Sequence, residues 1–242
     1  MSKFLWAAFV ALGIVSPAEA SPDFDRPAAI QRIEPKSDND PSGAWICTRY
    51  TDLMLREDSS DTPAPDKATL WPLKPNARPA CSKQNLPDQI TLDTEGMAFA
   101  GRKGLFLIFT MVDTNGSMPF RVLDAHSGKI LFADSMAITG GIASVALEGA
   151  ALKLSYRRAI DANCGLPKEG AGCWASIIRE ADIPPEIATR APPLQACAAS
   201  YRRDKAPPDD PSIVSYDVAL ILDSSGTSKS IASGIIGCEP RP

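Results

Sequence analysis

Six cysteines and one histidine bound the chemistry open to this chain. Cys47, Cys81, Cys164, Cys173, Cys197 and Cys238 form an even set with no Cys-x-x-Cys spacing, and His126 is the single imidazole beside them. A zinc centre or a thioredoxin-like redox pair needs ligands or spacings that are missing here. The cysteines are therefore read as three disulfides, and no metal or cofactor is assigned. Cys164 and Cys173 flank a turn-rich loop, whose closure contributes a little under about 3 kcal/mol in the chain-entropy model. The other four allow three connectivities, of which Cys47 to Cys81 with Cys197 to Cys238 keeps partners nearest in sequence.

Histidine scarcity limits catalysis further. His126 lies inside Asp124-Ala125-His126-Ser127-Gly128, where a polar residue is explained by turn formation alone. There is no Gly-x-Ser-x-Gly elbow and no Ser-x-x-Lys pair, and Gly101, Gly104, Gly140 and Gly141 match no nucleotide-binding pattern. Catalytic residues are not assigned. A carboxylate pair of the glycosidase kind leaves no fixed spacing, so the 29 Asp and Glu residues keep a hydrolase as the rival reading. Ser155-Tyr156-Arg157-Arg158 recurs as Ser200-Tyr201-Arg202-Arg203, and two such arginine pairs meeting in space would make an anion site; the flanks do not match, so chance is the favoured reading. Asp113-Thr114-Asn115-Gly116 looks superficially like a calcium loop but lacks the distal Glu, and Asn115-Gly116-Ser117 is a glycosylation sequon.

The address comes from the N-terminus. Lys3, an apolar run over 4–15 and Ala18-Glu19-Ala20 before Ser21 make a secretory signal peptide over 1–20, which places the cysteines in a periplasmic or secreted, disulfide-permissive compartment. No later segment approaches about 18 uninterrupted apolar residues, so no transmembrane segment is expected. A net charge of −4 argues against nucleic acid as partner, because phosphate binding needs clustered positive charge. Aromatic residues make up 7%, too few for a broad sugar-stacking platform, so a protein or peptide partner is favoured.

The elements that must carry these residues are strands. Leu152, Leu154 and Tyr156, and again Val214, Tyr216, Val218, Leu220 and Leu222, alternate with more polar residues, the period of half-buried strands. Residues 105–112 are almost continuously apolar and read as a central strand covered on both faces. Short strands are expected over 120–123, 129–133 and 143–147, joined by turns with Asp first and Gly last, at 93–96, 113–116, 124–128 and 223–226. Residues 120–132 resemble one hairpin of a β-propeller blade. A propeller repeats that unit every 40 to 50 residues or so, and no second copy is visible, so no family is assigned.

The expected fold is mainly β: an antiparallel meander forming a sandwich or barrel, with one or two short helices and three disulfides. Pro193 opens a helix over 193–203, and a shorter helical turn follows Trp174. Residues 21–41 read as a flexible N-terminal arm, 57–66 as an exposed loop, and 42–242 as a single β-rich domain. The function expected is binding or a structural role in the cell envelope, and a third class, a secreted inhibitor, would present the 164–173 loop as a rigid protrusion.

Overall fold

The computed structural model describes residues 23–34, 44–59, 67–82, 88–111 and 115–241, with only the backbone of Asp58, Ser59 and Lys67. The expected signal peptide, residues 60–66 of the expected loop and Asp113-Thr114 lie outside the described residues.

Five strands open the fold as an antiparallel meander: β1 (Ala29–Ile33), β2 (Ala44–Arg49), β3 (Leu53–Ser59), β4 (Lys67–Pro72) and β5 (Ile90–Asp93). A second meander follows: β6 (Met97–Lys103), β7 (Phe106–Met111), β8 (Met118–Asp124) and β9 (Ile130–Met136). The third contains β10 (Ile142–Glu148) and β11 (Ala151–Asp161), then four helices, then β12 (Ser212–Leu222) and β13 (Ser228–Pro240). Those helices are α1 (Leu166–Glu169), α2 (Ala171–Glu180), α3 (Pro185–Ala188) and α4 (Leu194–Asp204). The protein is mainly β and antiparallel, as its turns and periodicity imply.

Side-chain alternation explains the layering. On β7, Phe106 and Ile108 join the core shared with β11, β12 and the helices, whereas Leu107 and Phe109 join the core shared with β3, β4 and β5. On β8, Phe120 and Val122 face the first core and Leu123 the second. β7 is thus covered on both faces, which is why it reads as a continuous apolar run. Each such side chain, fully buried, contributes about 1.5–3 kcal/mol.

The second and third meanders merge into one eight-stranded sheet through a single register pair, Arg158 opposite Met136. A polar cluster reinforces that seam. Asp134 on β9 accepts hydrogen bonds from Tyr156 Oη at 2.5 Å and Arg158 Nε at 3.0 Å, and Arg158 also donates to Tyr216 Oη at 2.8 Å. Two tyrosines that are almost wholly buried and one ion pair therefore hold together strands that the backbone ladder barely joins.

Several expectations change in detail. Within the arm expected over 21–41, β1 pairs with β2, Asp25 N donates to Arg102 O, and Phe24 packs over Gly101, where an added Cβ would lie 2.4 Å from its ring. Within 57–66, the first residues belong to β3, and Glu57 is buried because its carboxylate accepts the Phe99 amide of β6 at 2.7 Å. Among the described residues there are four helices instead of one or two, although α1 and α3 are single turns. The helix after Pro193 runs as anticipated, while α2 begins three residues before Trp174 and spans ten residues.

Candidate functional site

All three disulfides pair the cysteines nearest in sequence: Cys47 with Cys81, Cys164 with Cys173, and Cys197 with Cys238, at Cα separations of 5.8, 5.8 and 4.8 Å. The first two fasten an irregular segment to β2 and to α2, and the third joins α4 to β13. The 164–173 bridge does not present a protruding loop, as the inhibitor reading required. Its segment folds into α1 and the start of α2, Leu166 is fully buried, and Gly165 is pressed against the backbone of 208–210.

Among the described residues, two clefts of similar size differ in charge. The first, about 330 Å³, lies between the end of β11 and α2 and contains Asp161 and Glu180. This is where a carboxylate-pair hydrolase would have to work. Asp161 accepts hydrogen bonds from Ser117 N at 3.1 Å and Ser117 Oγ at 2.9 Å. Glu180 accepts from Ser176 Oγ and Arg179, and these bonds hold its carboxyl below the usual range. A general acid at neutral pH needs the opposite shift. Among the described residues the carboxyl pushed upward is Glu57, raised by burial, and it is sealed between sheets.

The second cleft, about 320 Å³, lies at the end of the β2–β3 hairpin and is lined by Ala28, Arg49, Tyr50, Thr51, Asn76, Ala77 and Arg78. Its construction follows from local chemistry. Lys74 O accepts the Ala77 amide at 2.9 Å across a Pro75-Asn76 turn; proline pre-sets its own φ and Asn76 tolerates the left-handed φ of 65°. Leu73 N donates to Asp52 O, tying this turn to the hairpin end. The segment then crosses the outer face of the first sheet to Cys81, which bonds to Cys47 and donates its backbone amide to Gln31 Oε1. On that face Gln31, Cys47, Arg56 and Thr69 stand in register, next to the row Ala29, Arg49, Met54 and Trp71.

Arg56 is clamped there. Its guanidinium lies 4.3 Å from the Trp45 ring centroid and 4.6 Å from that of Trp71, and Nη1 donates to Ser82 O at 2.6 Å. Beside the cleft, Arg102 binds the Asp52 carboxylate through both terminal nitrogens, which holds Asp52 below its ordinary range. Arg49 and Arg78 are different: neither makes an ion pair or side-chain hydrogen bond among the described residues, and no acidic residue lines their cleft.

The remaining sequence candidates are structural. The Asp124 carboxylate accepts the amides of His126 and Ser127 and the Ser127 hydroxyl, so His126 is an exposed residue of a hydrogen-bonded turn. The repeated Ser-Tyr-Arg-Arg stretches do not build one site: Arg157 pairs with Asp217, Arg158 with Asp134, and Arg203 with Asp204 on α4. Among the described residues no group of three His, Cys, Asp or Glu is placed to hold a metal ion, and no helix is long and apolar enough to cross a membrane. Arg49 and Arg78 were missed by sequence reasoning, since 29 positions separate them; the usable signal was their placement beside the disulfide, two residues after Cys47 and three before Cys81.

No protein-family model matches the chain, and no curated protein does. Among solved structures, a mutant of the apocarotenoid oxygenase of Synechocystis is similar over 89% of this chain and 40% of its own length, at 13% identity and a TM-score of 0.29. The chain thus spans less than half of that protein, and a likeness this loose carries no argument about fold or function.

Proposed function

We propose that this protein is an exported, periplasmic or secreted, disulfide-stapled β domain that works by binding, or as a structural part of the cell envelope, with a protein or peptide as partner. The observation that carries the choice over catalysis is the state of the carboxylates in the helix-side cleft. Asp161 is engaged by Ser117, and Ser176 and Arg179 hold the Glu180 carboxyl low, the opposite of what a general acid at neutral pH needs. Three disulfides suit an oxidising compartment.

The hydrolase remains the second reading because these two carboxylates do line one cleft. Incubation with purified envelope polysaccharides and peptidoglycan tests both. No release of reducing ends is the expected result; release that disappears in Asp161→Asn or Glu180→Gln would replace the binding reading with the hydrolase. N-terminal sequencing of protein recovered outside the cytoplasm tests export, and a chain starting at Ser21 is the expected product.

A further inference from the structure

We propose that the cleft between the β2–β3 hairpin end and the 74–78 turn is an oxyanion-binding site, with Arg49 and Arg78 supplying its positive charge. The inference rests on the binding reading above and gives that reading a ligand chemistry.

Charge is the first ground. The whole chain is mildly acidic, yet among the described residues this cleft is lined by two arginines and no Asp or Glu. Other buried or half-buried arginines have acceptors: Arg56 the Ser82 carbonyl, Arg102 Asp52, Arg121 Glu95, Arg157 Asp217 and Arg158 Asp134. Half-buried Arg49 has none among the described residues; Arg241, near the end of β13, shares that condition but lines no described cleft with a second arginine. A guanidinium that has lost part of its hydration and gained no acceptor is worth more to an incoming anion than one already paired.

Donor geometry is the second ground. Each guanidinium offers a planar fork that matches the paired oxygens of a carboxylate or phosphate. Thr51 supplies a hydroxyl and Asn76 an amide, so the lining can donate from several directions. Tyr50, also in the lining, stays a neutral phenol because burial pushes its pKa up to about 12. The volume of about 320 Å³ suits a small anion or a chain end.

Preorganisation is the third. Arg49 is held in the β2 ladder between Ala29 and Met54, while Arg78 hangs between the Pro75-Asn76 turn and the Cys81 bridge. The backbones of both are positioned before any ligand arrives, which lowers the ordering cost of binding. The neighbouring Asp52 cannot compete for them while Arg102 holds it through two hydrogen bonds.

The oxyanion can belong to a free phosphate or to the terminal carboxylate of a peptide, and one titration separates the two. The oxidised full chain is followed through its arginine Nε–Hε resonances at constant ionic strength, against inorganic phosphate, N-acetyl-trialanine, and the C-terminal amide of the same peptide. Saturating shifts at Arg49 and Arg78 are expected with phosphate, with the peptide acid, or with both, and none with the amide. Whichever probe saturates identifies the source. Arg49→Gln and Arg78→Gln should each weaken binding about tenfold or more, whereas Arg202→Gln at the end of α4 should leave it unchanged. Shifts that rise linearly without saturating, or that Arg202→Gln reduces equally, would overturn the site. That failure would leave the non-catalytic reading standing, since the hydrolysis assay decides it separately.

Discussion

Arg158 and Arg49 are both half-buried arginines on strands, and the structure uses them in opposite ways. Arg158 is spent on the protein itself: its guanidinium meets Asp134 and Tyr216 at the one register pair joining the second and third meanders. Arg49 sits at a hairpin end with no acceptor for its guanidinium among the described residues, next to the exposed Arg78, which has none there either. Burying a charge is costly unless it is paired, so a paired arginine marks a structural joint and an unpaired one at a cleft marks capacity for a ligand. Burial alone would not distinguish them. The contents of the surrounding face do.

The largest effect should come from the crosslink that brings Arg78 to Arg49. Replacing Cys47 and Cys81 together by alanine opens a loop with a sequence separation of 34 and should cost about 4 kcal/mol in urea unfolding, in the chain-entropy model. A loss below about 1 kcal/mol would mean that the Trp45–Arg56–Trp71 clamp holds the segment without the bridge.

Asp134→Ala should follow, at about 2 kcal/mol. Stranding a fully buried partner costs about 3–5 kcal/mol, and the discount reflects side-chain exposures of 15% for Asp134 and 21% for Arg158. Removing Arg158 as well, in Asp134→Ala/Arg158→Leu, should recover part of the loss. A double variant as damaged as the sum of the singles would show that the pair is not coupled.

Glu57 extends the comparison to an acid buried with a backbone amide as its hydrogen-bond donor instead of a cation. Burial raises its pKa above the unfolded value, so its contribution is full below about pH 4.3 and is lost as pH rises through the folded pKa. Glu57→Gln should therefore unfold at higher denaturant than the parent at pH 7 and with it at pH 3.5, with slopes differing by at most about 1.4 kcal/mol per pH unit. Coincident curves at every pH would mean that the carboxyl titrates normally.

Arg49→Gln should be the smallest, within about 0.5 kcal/mol of the parent. A cost comparable to that of Asp134→Ala would make Arg49 structural and erase the contrast with Arg158.

Much of the third meander was visible in the chain because its strands alternate cleanly. Leu152 to Tyr156 and Val214 to Leu222 put every second residue into one core, and pairs such as Leu154 with Leu220 stand opposite one another as that periodicity requires. The first sheet was not. Its β3 strand carries Arg56 and Glu57 at buried positions, and charged residues in sequence read as solvent-exposed until the Trp45 and Trp71 rings and the Phe99 amide that accommodate them are known. The short β5 and the glycine- and serine-rich β13 offered too little period to register, although both complete ladders set by their neighbours.

Composition, turn residues and cysteine count were sufficient to determine a mainly β, antiparallel chain with three disulfides, because turn and strand preferences act over short sequence distances, an Asp bonding its own turn and a side-chain period of two; spacing marked Cys164 with Cys173 and left three connectivities for the other four. Tertiary structure alone decided which charges are spent and which are left over. That depends on residues far apart in sequence, with Asp134 placed against Arg158 and, among the described residues, no acid placed against Arg49 and Arg78, and long-range packing, not local preference, determines which groups share a face.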